Sequence, residues 1–319
     1  MTILYKFGRK HLVPDTDILV QGVSTLANPS SETLLFCQKK YEFMLEDLKN
    51  FKSCCVIIDE VIIPPKSISN LHTFIKAKNP RLLFTQTYQQ LVNSDFEMSS
   101  QKKEYRYVKG YYEGEDVICE DSVTIEPGCL IDHGVKIGKG TIIKAGAKLR
   151  RGVVVGEKCI IKENAVIGSS GFNFERDDNG DLIGTPQCGG VIIKNDVEIG
   201  AFCTIASGTI DPTILCDQVK LNDHVHIAHN VRIECGTIIG AAVTIAGSTQ
   251  VGRNVWIAPN CAIMNQIVIG DKAIIGLSAR IHKSVAPCTT MINEGADSID
   301  HVLKFIKYKQ KNILDEKKK

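Results

Sequence analysis

From Leu215 to Ile281 every sixth residue is aliphatic, by way of Leu221, Ile227, Ile233, Ile239, Ile245, Val251, Ile257, Ile263, Ile269 and Ile275. The same ladder runs earlier through Ile125, Ile131, Ile137, Ile143, Leu149, Val155, Ile161 and Ile167, and again through Ile193, Ile199 and Ile205. A helix repeats its apolar face at about 3.6 residues and a strand at about 2, so a strict period of six predicts short strands joined by tight corners. Three such sides close a coil of 18 residues, and the chain reads as a hexapeptide-repeat solenoid. With Cys119 as a weak first member, the runs hold nine, three and twelve hexads, hence eight coils. At the inter-strand spacing of about 4.8 Å these predict a prism about 35–40 Å long.

Neighbouring positions support that reading. Glycine often follows the aliphatic residue, as at Gly138, Gly156, Gly168, Gly200, Gly240, Gly252, Gly270 and Gly276, where a corner with positive φ or crowded backbones is expected. Two residues before it the chain places small or branched residues such as Val225, Val231, Thr237, Val243, Thr249, Val255 and Cys261, which fill the same interior. Coils of this kind bury little alone and gain stability from stacking.

Residues 1–105 carry no hexads. Ile18-Leu19-Val20 and Cys54 to Asp59 predict short buried strands, and Ser31 to Lys49 and Leu83 to Val92 carry helical spacing, together a small α/β domain. A polar stretch, Ser99 to Glu104, links it to the solenoid at 106–292. From 293 to 319 Ile299, Val302, Leu303, Phe305 and Ile306 predict a C-terminal helix. Seven Lys against four acidic residues over 296–319 make that helix basic: a solvated cap, or a docking face for an acidic partner. Two interruptions break the ladder. Ser169 to Gly190 is a loop with Phe172, Phe174, Arg176 and a turn at Asp177 to Asp181, expected to be functional or to contact a neighbouring subunit. Ile205 to Leu215 spans ten residues instead of six, an insertion around Asp211-Pro212.

Composition narrows the classes. A net charge of +2 excludes a general nucleic-acid binder. The chain starts without the apolar run of a signal peptide, and no stretch approaches about 18 uninterrupted apolar residues, so a cytoplasmic protein with no stable membrane insertion is expected. Twelve cysteines form no C-x-x-C pair, and Cys159, Cys203 and Cys261 sit at filling positions, which reads as reduced, buried thiols.

The densest titratable cluster is His224-Val225-His226-Ile227-Ala228-His229-Asn230, and histidine is the side chain best able to take a proton near neutral pH. The ladder separates its members: His226 adjoins the buried Ile227, His224 lies three residues before it, and His229 falls two residues after it, toward an edge. Counting on by 18 and 36 from His229 reaches Gly247 and Asn265, which therefore stack on that edge. Ala246-Gly247-Ser248 offers a backbone N–H with no side chain in front of it, suited to an oxyanion or a thioester arm. His229 as a plain corner histidine is the bland alternative. A zinc site built by His224, His226 and His229 from adjacent subunits, as in gamma-class carbonic anhydrases, is the other; with no further ligand set in the sequence, no metal is expected.

The runs Ile167 to Phe172, Pro186 to Ile193, Val197 to Ala201, His226-Ile227-Ala228-His229-Asn230-Val231 and Ile245-Ala246-Gly247-Ser248 resemble the UDP-3-O-(3-hydroxyacyl)glucosamine N-acyltransferases of lipid A synthesis over roughly residues 105 to 285. Leu26-Ala27-Asn28-Pro29 and Lys78-Asn79-Pro80 extend the likeness to the N-terminal domain. The resemblance implies a left-handed parallel β-helix, a homotrimer, and direct acyl transfer with His229 as general base. It further implies sugar contacts at Phe172, Asn28, His226 and Asn230, and acyl-donor contacts at Gly247, Ser248, Asn265 and Gln266. No cofactor is implied beyond acyl-CoA or acyl carrier protein as co-substrate. The chain departs from the pattern where a second histidine is replaced by Gln266, D-R-G by Ala206-Ser207-Gly208, N-P-K-Y by Asn28-Pro29-Ser30-Ser31, and G-I-P by the residues after Ile292, Asn293 to Ala296. These departures shift the expected acceptor toward another nucleotide-linked amino sugar. The lipid A enzyme itself is the alternative, and a non-catalytic scaffold or sugar-binding subunit is the second.

Overall fold

A computed structural model describes residues 6–98 and 104–293 of the chain. The ladder residues pair laterally in three parallel sheets, one for each side of a prism. The first face carries Ile227, Ile245 and Ile263 as successive partners, the second Ile233, Val251 and Ile269, and the third Ile239, Ile257 and Ile275. Their side chains fill one continuous buried core from Cys129 to Val285.

The interior explains why small residues interchange two positions before each aliphatic. Thr237 and Thr249 donate hydroxyl hydrogen bonds to the carbonyls of Gly252 and Met264 at 2.7 and 2.8 Å. Cys203 and Cys261 use their thiols in the same way on Asn222 and Gly276, both at 3.0 Å. All twelve cysteines are free thiols, and Cys159, Cys203 and Cys261 are buried.

Two expectations need correction. The third face has nine strands, so nine coils stack rather than eight. The additional sides are Tyr111–Glu113, whose inward position is not aliphatic, and a bridge at Val285 with the strand Thr290–Met291, both off the six-residue step from Ile281. The corner glycines also act by crowding more than by positive φ. Positive φ falls two residues later, at His224, Asn230, Ala242 and Ser248, whereas a Cβ at Gly240 would lie 2.6 Å from the backbone nitrogen of Pro259 on the next coil.

The N-terminal domain is a five-stranded sheet in sequential order: β1 (Lys6–Leu12), β2 (Leu19–Val23), β3 (Thr33–Cys37), β4 (Cys55–Asp59) and β5 (Thr73–Ala77). Only β1 is antiparallel to its neighbour. Thr33 to Cys37 is thus a strand, not part of the helix expected from Ser31; its Leu34-Leu35-Phe36 run reads as continuous because both faces of a parallel strand are covered. On one face Leu34 and Ile57 pack with Phe84, Tyr88 and Leu91 of α1 (Pro80–Met98). On the other, Leu35, Val56 and Ile58 meet Leu45 and Leu48 of a 3-10 helix, Lys39–Asn50. The expected C-terminal helix lies outside the described residues. Among those described, no helix is long and apolar enough to cross a membrane.

Both ladder interruptions serve as the platform for this domain. The first forms a hairpin, Phe174–Arg176 against Leu182–Gly184, where Arg81 of α1 reaches Glu175 at 2.8 Å and Asn173 at 2.9 Å. Thr85 hydrogen-bonds Thr185 at 3.1 Å. From the second, Ile210 inserts into the core of the N-terminal domain. The crowded corner makes a direct test: Gly240→Ala should lower stability by about 1–3 kcal/mol through overpacking, read as a lower midpoint in urea unfolding. An unchanged midpoint would mean that successive coils sit farther apart than described.

Candidate active site

The corner between the first and second faces carries His229. Asn230, at φ 59, turns the chain there, and its backbone N–H donates to Thr213 Oγ1 at 2.9 Å. The Asn230 amide is oriented from two sides: Nδ2 donates to the carbonyl of Asp211 at 2.6 Å, and Oδ1 accepts the N–H of Thr209 at 3.1 Å. Oδ1 also lies 3.0 Å from His229 Nδ1. An amide oxygen only accepts, so Nδ1 is the ring nitrogen that donates here, and Nε2 is left to face the next coil. A general base on this ring would work through Nε2.

Nε2 points over Gly247 on the next coil. A Cβ built there would lie 2.7 Å from Nε2, so only glycine leaves the imidazole its place. The stacking counted along the ladder is present, with Ser248 N–H donating to the His229 carbonyl at 2.9 Å and Gln266 N–H to that of Gly247 at 3.0 Å. Corner N–H groups at the equivalent place are elsewhere taken by side chains, Ala201 by Asp223 and Arg253 by Asp271, both at 2.8 Å. The N–H of Gly247 finds no acceptor among the described residues. Gly247 is itself buried, with the imidazole packed against it.

The three histidines of the sequence cluster separate in space. His224 turns the opposite corner and stacks on Phe202, ring centroids 5.4 Å apart. His226 projects from the first face with Nδ1 2.6 Å from Thr204 Oγ1, and burial lowers its pKa. Within one chain they do not converge as ligands. Asn265 and Gln266 stand exposed above Gly247 on the same edge. Phe172 is 88% exposed and meets Phe174 edge to face. Its neighbour Gly171 approaches the base so closely that a Cβ there would lie 2.9 Å from that of His229.

Asn28 lies apart from Nε2, in a cleft of about 340 Å³ between the N-terminal domain and the second face, with Lys194, Asp211, Pro212 and Arg232. Yet a line of hydrogen bonds joins it to the base. Asn28 N–H donates to Thr25 Oγ1 at 3.2 Å, and the Thr25 hydroxyl to Asp211 Oδ2 at 2.6 Å. The Asp211 carbonyl then holds Asn230. Thr25, Thr209, Asp211, Thr213 and Gly171 were not singled out by the sequence, although the insertion around Asp211 marked the place.

The comparisons with known proteins bear on the fold. The family described as bacterial transferase hexapeptide (six repeats) matches residues 116–151 and 248–283. Among solved structures, the UDP-N-acetylglucosamine acyltransferase from Campylobacter jejuni superposes with a TM-score of 0.52 at 22% identity, covering 58% of this chain and 70% of that one. The UDP-N-acetylglucosamine O-acyltransferase from Moraxella catarrhalis gives a TM-score of 0.53 at 22% identity, with coverage of 58% and 70%. The fold is a left-handed parallel β-helix of hexapeptide repeats. In sequence the chain is similar to UDP-3-O-acylglucosamine N-acyltransferases: 41% identical over 120 residues to that of Coxiella burnetii, covering 38% of this chain and 35% of that protein, and 40% over 124 residues to that of Bordetella parapertussis, covering 38% and 34%. The chain thus spans about a third of the length of the curated relatives it matches.

Gly247→Ala tests the geometry independently of any assay. The fold should persist, while the added methyl displaces the imidazole at a cost of about 1–3 kcal/mol. The rate of carbethoxylation of His229 by diethyl pyrocarbonate, followed by peptide mass spectrometry, should change by about tenfold as the ring moves. Unchanged labelling would mean that Nε2 does not face Gly247.

Proposed function

We propose that the chain is an N-acyltransferase that moves an acyl group from a thioester, acyl-CoA or acyl carrier protein, to the amine of a nucleotide-linked amino sugar. The observation that carries this is the His229 ring, with Nδ1 held at Asn230 Oδ1 and Nε2 directed over Gly247, whose N–H has no acceptor among the described residues. In the reaction the sugar amine attacks the thioester carbonyl, and Nε2 takes the proton that the amine sheds. The Gly247 N–H stabilises the oxyanion. As the tetrahedral centre collapses, the C–S bond breaks and the imidazolium returns its proton to the leaving thiolate. No covalent enzyme intermediate is needed.

The relatives' names favour UDP-3-O-acylglucosamine as the acceptor over the other amino sugars toward which the sequence departures pointed. Lys194 and Arg232 give the cleft beside Asn28 a cationic wall suited to a pyrophosphate. Asp211 Oδ1, buried without a hydrogen-bond partner among the described residues, suits a ligand hydroxyl. A second reading, another nucleotide-linked amino sugar, is favoured by Ser30-Ser31 and Gln266, where the uracil-stacking and second-histidine positions have changed. A cytoplasmic location accompanies either reading.

Mass spectrometry of products from a panel of nucleotide amino sugars with short and long acyl donors separates the two. Turnover confined to UDP-3-O-acylglucosamine supports the first, and turnover of a different amino sugar the second. His229→Ala should reduce the rate by about 10²–10⁴-fold; a wild-type rate would remove His229 from the mechanism. A homotrimer is part of the proposal. Ile238, Trp256 and Ile274 form an exposed apolar column on adjacent strands of the third face, a surface that side-by-side packing would cover. Light scattering should give three chains per particle, and Trp256→Glu should shift the particle toward monomer.

A further inference from the structure

Where the second face turns into the third, the coil register gathers ligating side chains that are far apart in sequence. Cys216 follows Leu215 on one coil, Glu234 and Cys235 follow Ile233 on the next, and Leu215 pairs with Ile233. One ligand atom from each, two sulfurs and a carboxylate oxygen, all lie within 4.8 Å of one another. Cys216 is buried and Cys235 half-buried, and both are free thiols. Arg232 braces the group from outside, donating from Nε to Glu234 Oε1 at 2.6 Å and from Nη2 to Cys216 Sγ at 3.6 Å.

We infer that this edge binds a thiophilic divalent cation of the zinc type, held by Cys216 Sγ, Cys235 Sγ and a carboxylate oxygen of Glu234, with water as fourth ligand. Tetrahedral zinc, about 2.3 Å from sulfur and about 2.0 Å from oxygen, spaces its ligands about 3.5–3.8 Å apart. The three atoms therefore need to close by at most about an ångström. Two sulfurs select zinc or cobalt over magnesium or calcium. The charges also balance, since a divalent cation, two thiolates, one carboxylate and the Arg232 guanidinium sum to zero. Arg232 then acts as an outer-shell donor to two of the ligands. A bound ion would clip two successive coils together and hold Arg232 beside the interdomain cleft, which it also lines.

The test uses the full chain, reduced with a phosphine, stripped with chelator, and titrated with cobalt(II). One equivalent per chain should produce the visible bands of tetrahedral cobalt and a thiolate-to-cobalt charge-transfer band, and zinc should bleach both. Cys235→Ser, at a half-buried corner, should fold normally, lose part of the charge-transfer intensity and bind at least about tenfold more weakly. Cys288→Ser, at an exposed thiol elsewhere, should titrate as wild type. Absence of a tetrahedral spectrum would overturn the inference, as would a spectrum undiminished in both Cys216→Ser and Cys235→Ser. None of these readouts involves acyl transfer, so the result stands or falls apart from the proposed activity.

Discussion

Parallel pairing of each residue with the one eighteen positions on is the constraint from which the rest of this molecule follows. A backbone N–H on one coil meets a carbonyl on the next, so a slip of one residue would turn every inward aliphatic outward. Positions at equal phase are consequently forced into columns. The interior column accepts only side chains that fill a narrow triangle, and the corner columns accept only residues that tolerate positive φ or a close backbone. The columns are also how one coil supplies the His229 imidazole and the next the Gly247 backbone packed against it.

A perfectly regular prism has convex edges and flat faces, and no place to surround a ligand. The concavity here comes from the two breaks in the ladder. The hairpin after Ser169 and the segment around Asp211 leave the prism at the level of His229, and the N-terminal domain settles on both. Gly171 comes against one side of the His229 ring, and Asp211 holds the Asn230 amide that faces Nδ1. The solenoid provides spacing and rigidity, while its interruptions provide enclosure and polarity.

What was legible in the sequence divides along the same line. The period of six was enough for the prism, and counting by 18 placed Gly247 against His229. Counting does not cross an insertion, however, so the contacts of Asp211, Thr209 and Gly171 with the site required the fold. In the N-terminal domain, Leu34 to Cys37 read as helical because a strand covered on both faces shows no alternation. One side of the first coil and two of the last were missed, where Glu113, Val285 and Met291 fall outside the aliphatic pattern. Cys216 and Cys235 show a different limit. Their proximity follows from the same ruler, but a search for cysteines close in sequence overlooks thiols brought together across coils.

The line from Thr25 to His229 also bears on how the chain assembles. Pairing within the solenoid links residues eighteen apart, whereas Thr25 and Asp211 are separated by 186 positions. Contacts that close short loops form early and cheaply, and distant ones wait on the structure beneath them. The coils can therefore zip up with His229 already on its corner while Asp211 is still unbraced by Thr25. Asn230 is held by Thr209, Asp211 and Thr213, all within 21 residues of it, so the imidazole is oriented as the coils stack, and the contact with Thr25 fastens the N-terminal domain to a corner already formed.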